Sequence, residues 1–209
     1  MAGTSPLSRS RPKPSNRTGV FASLMRNLAA LMLAVTGWKL EGDWPQDAEK
    51  AVLVAAPHTS NWDGLWMIFA AAYYRVKLRW MGKKSLVDHP LGWFVKWLGC
   101  VPVDRKSASD IVEQTAAAFA ESDRLTLAVA PEGTRSAMTE WKSGFYRIAI
   151  KAGVPLIITV LDYGTRTVKI AGLFQPTGDY QADLPLIKAY YANAEGRHKG
   201  NFSLNAGED

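Results

Sequence analysis

Ala51-Val52-Leu53-Val54-Ala55-Ala56-Pro57-His58-Thr59-Ser60-Asn61-Trp62-Asp63 passes from an unbroken apolar run through a polar loop into a helical pattern. The run Ala51–Ala56 has the length of a strand, and its lack of polar alternation marks a strand covered on both faces. Beyond the loop, the spacing predicts a helix over Gly64–Tyr74, with Trp62, Trp66, Phe69 and Tyr73 on one stripe. Core packing explains that stripe without further function.

The same alternation extends in both directions. Strands are expected at Leu78–Gly82, Cys100–Val103, Leu125–Ala130 and Pro155–Leu161, with helices at Pro90–Leu98, Ala108–Glu121 and Gly144–Lys151. Arg166–Leu173 reads as an antiparallel neighbour of the strand before it, and Tyr180–Asn193 as a last helix. Apolar strands separated by helices imply an α/β fold: a mixed, largely parallel sheet covered by helices on both faces. One domain, 41–195, accounts for this pattern, followed by a polar tail, 196–209, that is expected to fray.

The 209 residues suffice for one sizeable core, and 47% hydrophobic and 21% charged residues are ordinary for a folded domain. The net charge is +6, and residues 1–40 contain six Arg or Lys (Arg9, Arg11, Lys13, Arg17, Arg26, Lys39) and no Asp or Glu. The whole excess therefore sits at the N-terminal end. Residues 1–18, rich in Ser, Pro, Arg and Lys, read as a disordered basic arm. Over 19–40, Phe21, Leu24, Met25, Leu28, Leu31, Met32, Val35 and Trp38 recur at helical spacing, opposite Ser23, Arg26, Asn27, Ala30, Ala34 and Gly37. A cationic arm before an amphipathic helix suits an anionic membrane surface rather than nucleic acid. Packing on the protein's own core is the alternative. Arg26 and Asn27 interrupt any spanning run, and no small-x-small cleavage site follows Leu28–Val35. A peripheral or monotopic position on the cytoplasmic face of the cell membrane is expected. The single cysteine, Cys100, excludes an intramolecular disulfide and reads as a core residue.

Two loops carry candidate chemistry. His58 precedes Asp63 by five positions, and a strand-to-helix turn can bring them together. An imidazole acting as base needs one free nitrogen, while a carboxylate holds the other N–H. Helix capping by Ser60 and Asp63 explains the same residues without catalysis. Ala130-Pro131-Glu132-Gly133-Thr134-Arg135-Ser136 follows another apolar strand. There Gly133 permits close backbone approach, and Thr134 and Arg135 supply donors suited to phosphate. Glu132 can fix the arginine or accept from a substrate hydroxyl. An exposed turn with solvated charges is the alternative for that loop, and also for Lys83, Lys84 and Arg105. His89 and His198 lie in unrelated segments, so no metal site is expected.

Taken together, His58–Asp63, Gly99–Arg105, Pro131–Arg135 and Val154–Ile158, in that order, resemble the four sequence blocks of the glycerolipid acyltransferases, which include the lysophosphatidic acid acyltransferases. The likeness covers roughly Ala51 to Val160. It implies direct transfer of an acyl group from acyl-CoA or acyl-carrier protein to a lysolipid hydroxyl, with no cofactor or metal. His58 would be the base and Asp63 its orienter. Glu132, Gly133, Thr134 and Arg135 would hold the acceptor, with Lys83 and Arg105 as supporting cations. Thr59, Ala130 and Thr159 depart from the usual pattern, which leaves other acceptors open, such as lyso-ornithine lipid. A non-catalytic module holding lipid or acyl-carrier protein is the remaining alternative.

Overall fold

A computed structural model describes residues 19–103, 108–138 and 140–204. It contains one seven-stranded sheet in the order β1 (Lys39–Glu41), β7 (Thr167–Phe174), β6 (Leu156–Asp162), β2 (Lys50–Ala56), β5 (Leu125–Val129), β3 (Leu78–Lys83) and β4 (Cys100–Val103). Every neighbouring pair is parallel except β6 with β7, which is antiparallel. The mixed, largely parallel sheet expected from the alternation is present.

Strand β2 lies at its centre, and its side chains divide by parity. Val52, Val54 and Ala56 enter one core with α4 (Ala108–Glu121), α5 (Gly144–Ala152) and α6 (Tyr180–Ala189). Ala51 and Leu53 enter the other, with α1 (Val20–Thr36) and α2 (Trp62–Tyr74). Successive strand residues point to opposite faces, so a strand buried on both sides must be apolar throughout. The short helix α3 (Gly92–Trp97) joins β3 to β4. Cys100 is buried, as its apolar surroundings suggest, and burial pushes its thiol pKa up.

Helix α1 ends at Gly37, whose left-handed φ of 75° closes it. It lays its small side on α2: Ala29 and Leu33 are buried, the Arg26 guanidinium sits 4.9 Å over the Tyr73 ring, and Arg75 donates to the Ser23 hydroxyl. Phe21, Leu24, Leu28, Leu31 and Val35 stay exposed on the opposite side. Packing on the protein's own core therefore holds for one face of this helix, and the other face is left exposed. Trp38 departs from the expected outward stripe. It lies past the helix end and turns inward, stacking on Trp66 at 4.6 Å and meeting Tyr163 edge-on at 4.9 Å. Trp66 and Tyr73 are thus core residues beneath α1, as ordinary packing requires.

Over the described residues, the segment after α6 lies against the domain. Tyr163 N–H donates to the Glu195 carbonyl, Gly196 abuts Thr59, and Phe202 and Leu204 pack against the core. The basic arm, 1–18, lies outside the described residues, as do Arg105 and 205–209.

Candidate active site

Parallel strands β6, β2 and β5 are neighbours and run in register, so their C-terminal ends coincide. The loops beyond them are forced together, the usual place for a site in such sheets. The β2 loop carries His58, the β5 loop carries Glu132 to Arg135, and the turn after β6 carries Tyr163.

His58 Nδ1 lies 3.2 Å from Asp63 Oδ2. Nδ1 is then the N–H donor, which leaves Nε2 as the free base. The imidazole is 32% exposed, and Asp63 is only 2% exposed. Asp63 Oδ2 also accepts the backbone N–H groups of Thr59 (2.7 Å) and Ser60 (2.8 Å), while Oδ1 accepts the Tyr163 hydroxyl at 2.6 Å. The Ser60 hydroxyl accepts from Trp62 N–H at 3.2 Å, at the start of α2. One carboxylate therefore holds both the loop that precedes the helix and the His58 imidazole. Burial, and then donation to Asp63, push the Tyr163 phenol well above its usual pKa, so it stays a proton donor.

The second loop is placed differently from expectation at one residue. Glu132 was a candidate to hold Arg135 or a substrate hydroxyl; it is 3% exposed, and its Oε1 accepts the His58 backbone N–H at 2.9 Å. It fixes the histidine from beneath. Its Oε2 is buried with no hydrogen-bond partner among the described residues, and burial raises its pKa. Arg135 instead donates to the Asn61 side-chain carbonyl, tying the two loops together. Gly133 has φ 66°, a left-handed conformation that favours glycine, and a Cβ there would stand 2.9 Å from Cδ of the flexible Lys142 side chain. Thr134 is half-buried, and its hydroxyl accepts from Ser136 N–H. Lys83 ends β3, paired with Val103 of β4, one strand beyond β5; Arg105 lies outside the described residues.

An open cavity of about 470 Å³ starts at Thr59 and is lined by Ser60, Asn61, Trp62, Arg135, Arg197 and His198. Tyr163, Lys142, Arg197 and His198 belong to the site region and carry no local sequence signal. Tyr163 lies 100 positions from Asp63, and His198 N–H reaches the Thr59 hydroxyl from 139 positions away.

Residues 38–161 match the family model described as Acyltransferase. The chain is 31% identical over 154 residues to a 1-acyl-sn-glycerol-3-phosphate acyltransferase of Salmonella typhimurium, covering 70% of this chain and 60% of that protein. It is 34% identical over 141 residues to a probable 1-acyl-sn-glycerol-3-phosphate acyltransferase of Mycoplasma pneumoniae, covering 62% and 52%. The chain thus spans between about half and three-fifths of the length of these relatives. The fold is similar to the crystal structure of a 1-acyl-sn-glycerophosphate acyltransferase from Thermotoga maritima, with a TM-score of 0.54 at 18% identity, covering 81% of this chain and 76% of that one.

Glu132 makes stability depend on pH. Its folded pKa is raised, so the folded chain holds more protons than the unfolded one above the ordinary value of 4.5, and stability falls as pH rises from there. Glu132→Gln keeps an acceptor for His58 N–H and removes the ionisation. Its stability relative to the parent chain should grow as pH rises from about 4.5, measured by urea unfolding at a series of pH values. Parallel stability curves for the two chains would contradict the assignment.

Proposed function

The chain belongs to the acyltransferase family, and we propose that it moves a fatty acyl group from a thioester to the free hydroxyl of a lysolipid, 1-acyl-sn-glycerol-3-phosphate. The observation that carries the reading is the His58–Asp63 pair at 3.2 Å, with the imidazole open to solvent and the carboxylate buried. The relatives' printed activity agrees with it.

In this mechanism His58 Nε2 takes the acceptor's hydroxyl proton as the oxygen attacks the thioester carbonyl carbon. Asp63 stabilises the imidazolium that forms. Collapse of the tetrahedral intermediate breaks the C–S bond, and the imidazolium returns its proton to the departing thiolate. Ester forms, thiol leaves, and no protein nucleophile, cofactor or metal takes part. The donor is acyl-CoA or acyl-carrier protein. Gly133, Thr134 and Arg135 hold the acceptor's glycerol phosphate, with Lys83 and Arg105 adding positive charge. Glu132 serves by fixing the His58 backbone.

The acceptor resides in a bilayer, and the exposed stripe of α1 supplies a means of reaching it. Among the described residues no helix is long and apolar enough to cross a membrane. Phe21, Leu24, Leu28, Leu31 and Val35 are presented outward while the helix's small side is held by α2. With the basic arm before it, this helix lies in the anionic headgroup layer of the membrane's cytoplasmic face.

Two outcomes test these statements. His58→Ala should lower thiol release from acyl-CoA in the presence of lysophosphatidate by at least about 10²–10⁴-fold. Its far-UV circular dichroism should match the parent chain; a rate within a few-fold of the parent would reject the mechanism. Leu24→Asp with Leu28→Asp and Leu31→Asp should release the full chain from anionic phosphatidylglycerol vesicles in a sedimentation assay. Undiminished vesicle binding would reject α1 as the docking element.

A further inference from the structure

Resting on that acyl-transfer reading, we infer that Arg197 is a specificity-determining residue, closing with Arg135 a two-guanidinium clamp on the acceptor's phosphate monoester. The two residues come from different parts of the fold and line the same cavity, Arg135 from the loop after β5 and Arg197 from the segment after α6. Among the described residues neither forms an ion pair with a carboxylate. Two unneutralised guanidinium groups beside one cavity select for an anion, and their planar forks match phosphate oxygens.

The placement of Arg197 is built into the structure. Its guanidinium carbon lies 5.4 Å from the centre of the Trp62 ring, a cation–π contact that holds the side chain beside the cavity. The backbone on either side is tied to the catalytic loops. Glu195 N–H donates to Asp162 Oδ1 at 2.9 Å, and Tyr163 N–H donates to the Glu195 carbonyl at 2.9 Å. His198 N–H donates to the Thr59 hydroxyl at 3.3 Å, and the Asn201 side-chain amide donates to the Arg135 carbonyl at 3.0 Å. A Cβ on Gly196 would stand 2.6 Å from Thr59 Cγ2, so the segment runs flush against the loop that bears His58. The cavity that both arginines line is also lined by Thr59, the residue that follows His58 in the chain. An uncharged headgroup leaves both cations unmatched, and discrimination follows from that difference.

The experiment compares the full chain with Arg197→Gln and Arg197→Lys. Initial rates are measured with lysophosphatidate and with the monoacylglycerol of the same chain length. Glycerol 3-phosphate is titrated into each protein by calorimetry. Arg197→Gln should reduce the kcat/KM preference for the phosphorylated acceptor by about tenfold or more, through KM rather than kcat, and weaken glycerol 3-phosphate binding by a similar factor. Arg197→Lys should restore part of both. A parent chain that binds glycerol 3-phosphate through Arg197 yet acylates no lysolipid overturns the acyl-transfer reading and leaves the clamp standing. Glycerol 3-phosphate affinity that is absent from the parent, or equal in parent and Arg197→Gln, overturns the clamp whatever the turnover.

Discussion

Everything in the site turns on how one buried carboxylate is satisfied. Asp63 sits at the first turn of α2 with 2% exposure, and an unpaired charge there would be costly. Two backbone N–H groups, a phenol and an imidazole meet its two oxygens. The backbone donors shape the loop so that His58 folds back over the helix start. The phenol holds Oδ1, which fixes the plane of the carboxylate and aims Oδ2 at Nδ1. The imidazole then has one tautomer and one free nitrogen. Geometry of the base is thus a consequence of desolvation of its partner.

The sheet makes this arrangement possible. Only where β6, β2 and β5 end side by side do three loops distant in sequence meet within hydrogen-bonding reach. Glu132 arrives from β5 to hold the His58 backbone, and Tyr163 arrives from β6 to hold Asp63. Trp38, at the exit of α1, packs on both Trp66 and Tyr163. The helix proposed to touch the membrane and the centre proposed to perform chemistry therefore share an aromatic wall.

Much of this was legible in the sequence because it is written in local patterns. The double-sided burial of β2 follows from the unbroken Ala51–Ala56 run, and the pairing of His58 with Asp63 from a strand-loop-helix turn. Asp63 was expected either to cap its helix or to orient His58; its four donors are the His58 imidazole, the Tyr163 hydroxyl and two N–H groups of the loop before the helix. Glu132 was harder, since a glutamate beside an arginine suggests a pair, whereas register sends it inward to a backbone N–H 74 positions away. Tyr163 and Arg197 were illegible: each acts through contacts made by strand order and chain return, and neither sits in a recognisable pattern. The segment after Gly196 meets the domain through the His198 N–H, the Asn201 side-chain amide and the apolar Phe202 and Leu204, contacts that its polar composition does not record.

The most direct test replaces the carboxylate while keeping its shape. Asp63→Asn leaves the loop a side chain of the same size but cannot offer His58 a charged acceptor. The account predicts that thiol release from acyl-CoA with lysophosphatidate falls by about 10²-fold or more in this folded variant, as expected when the base loses its orienting charge. A rate within a few-fold of the parent would mean that Asp63 only caps its helix, and the proton relay would have to be abandoned.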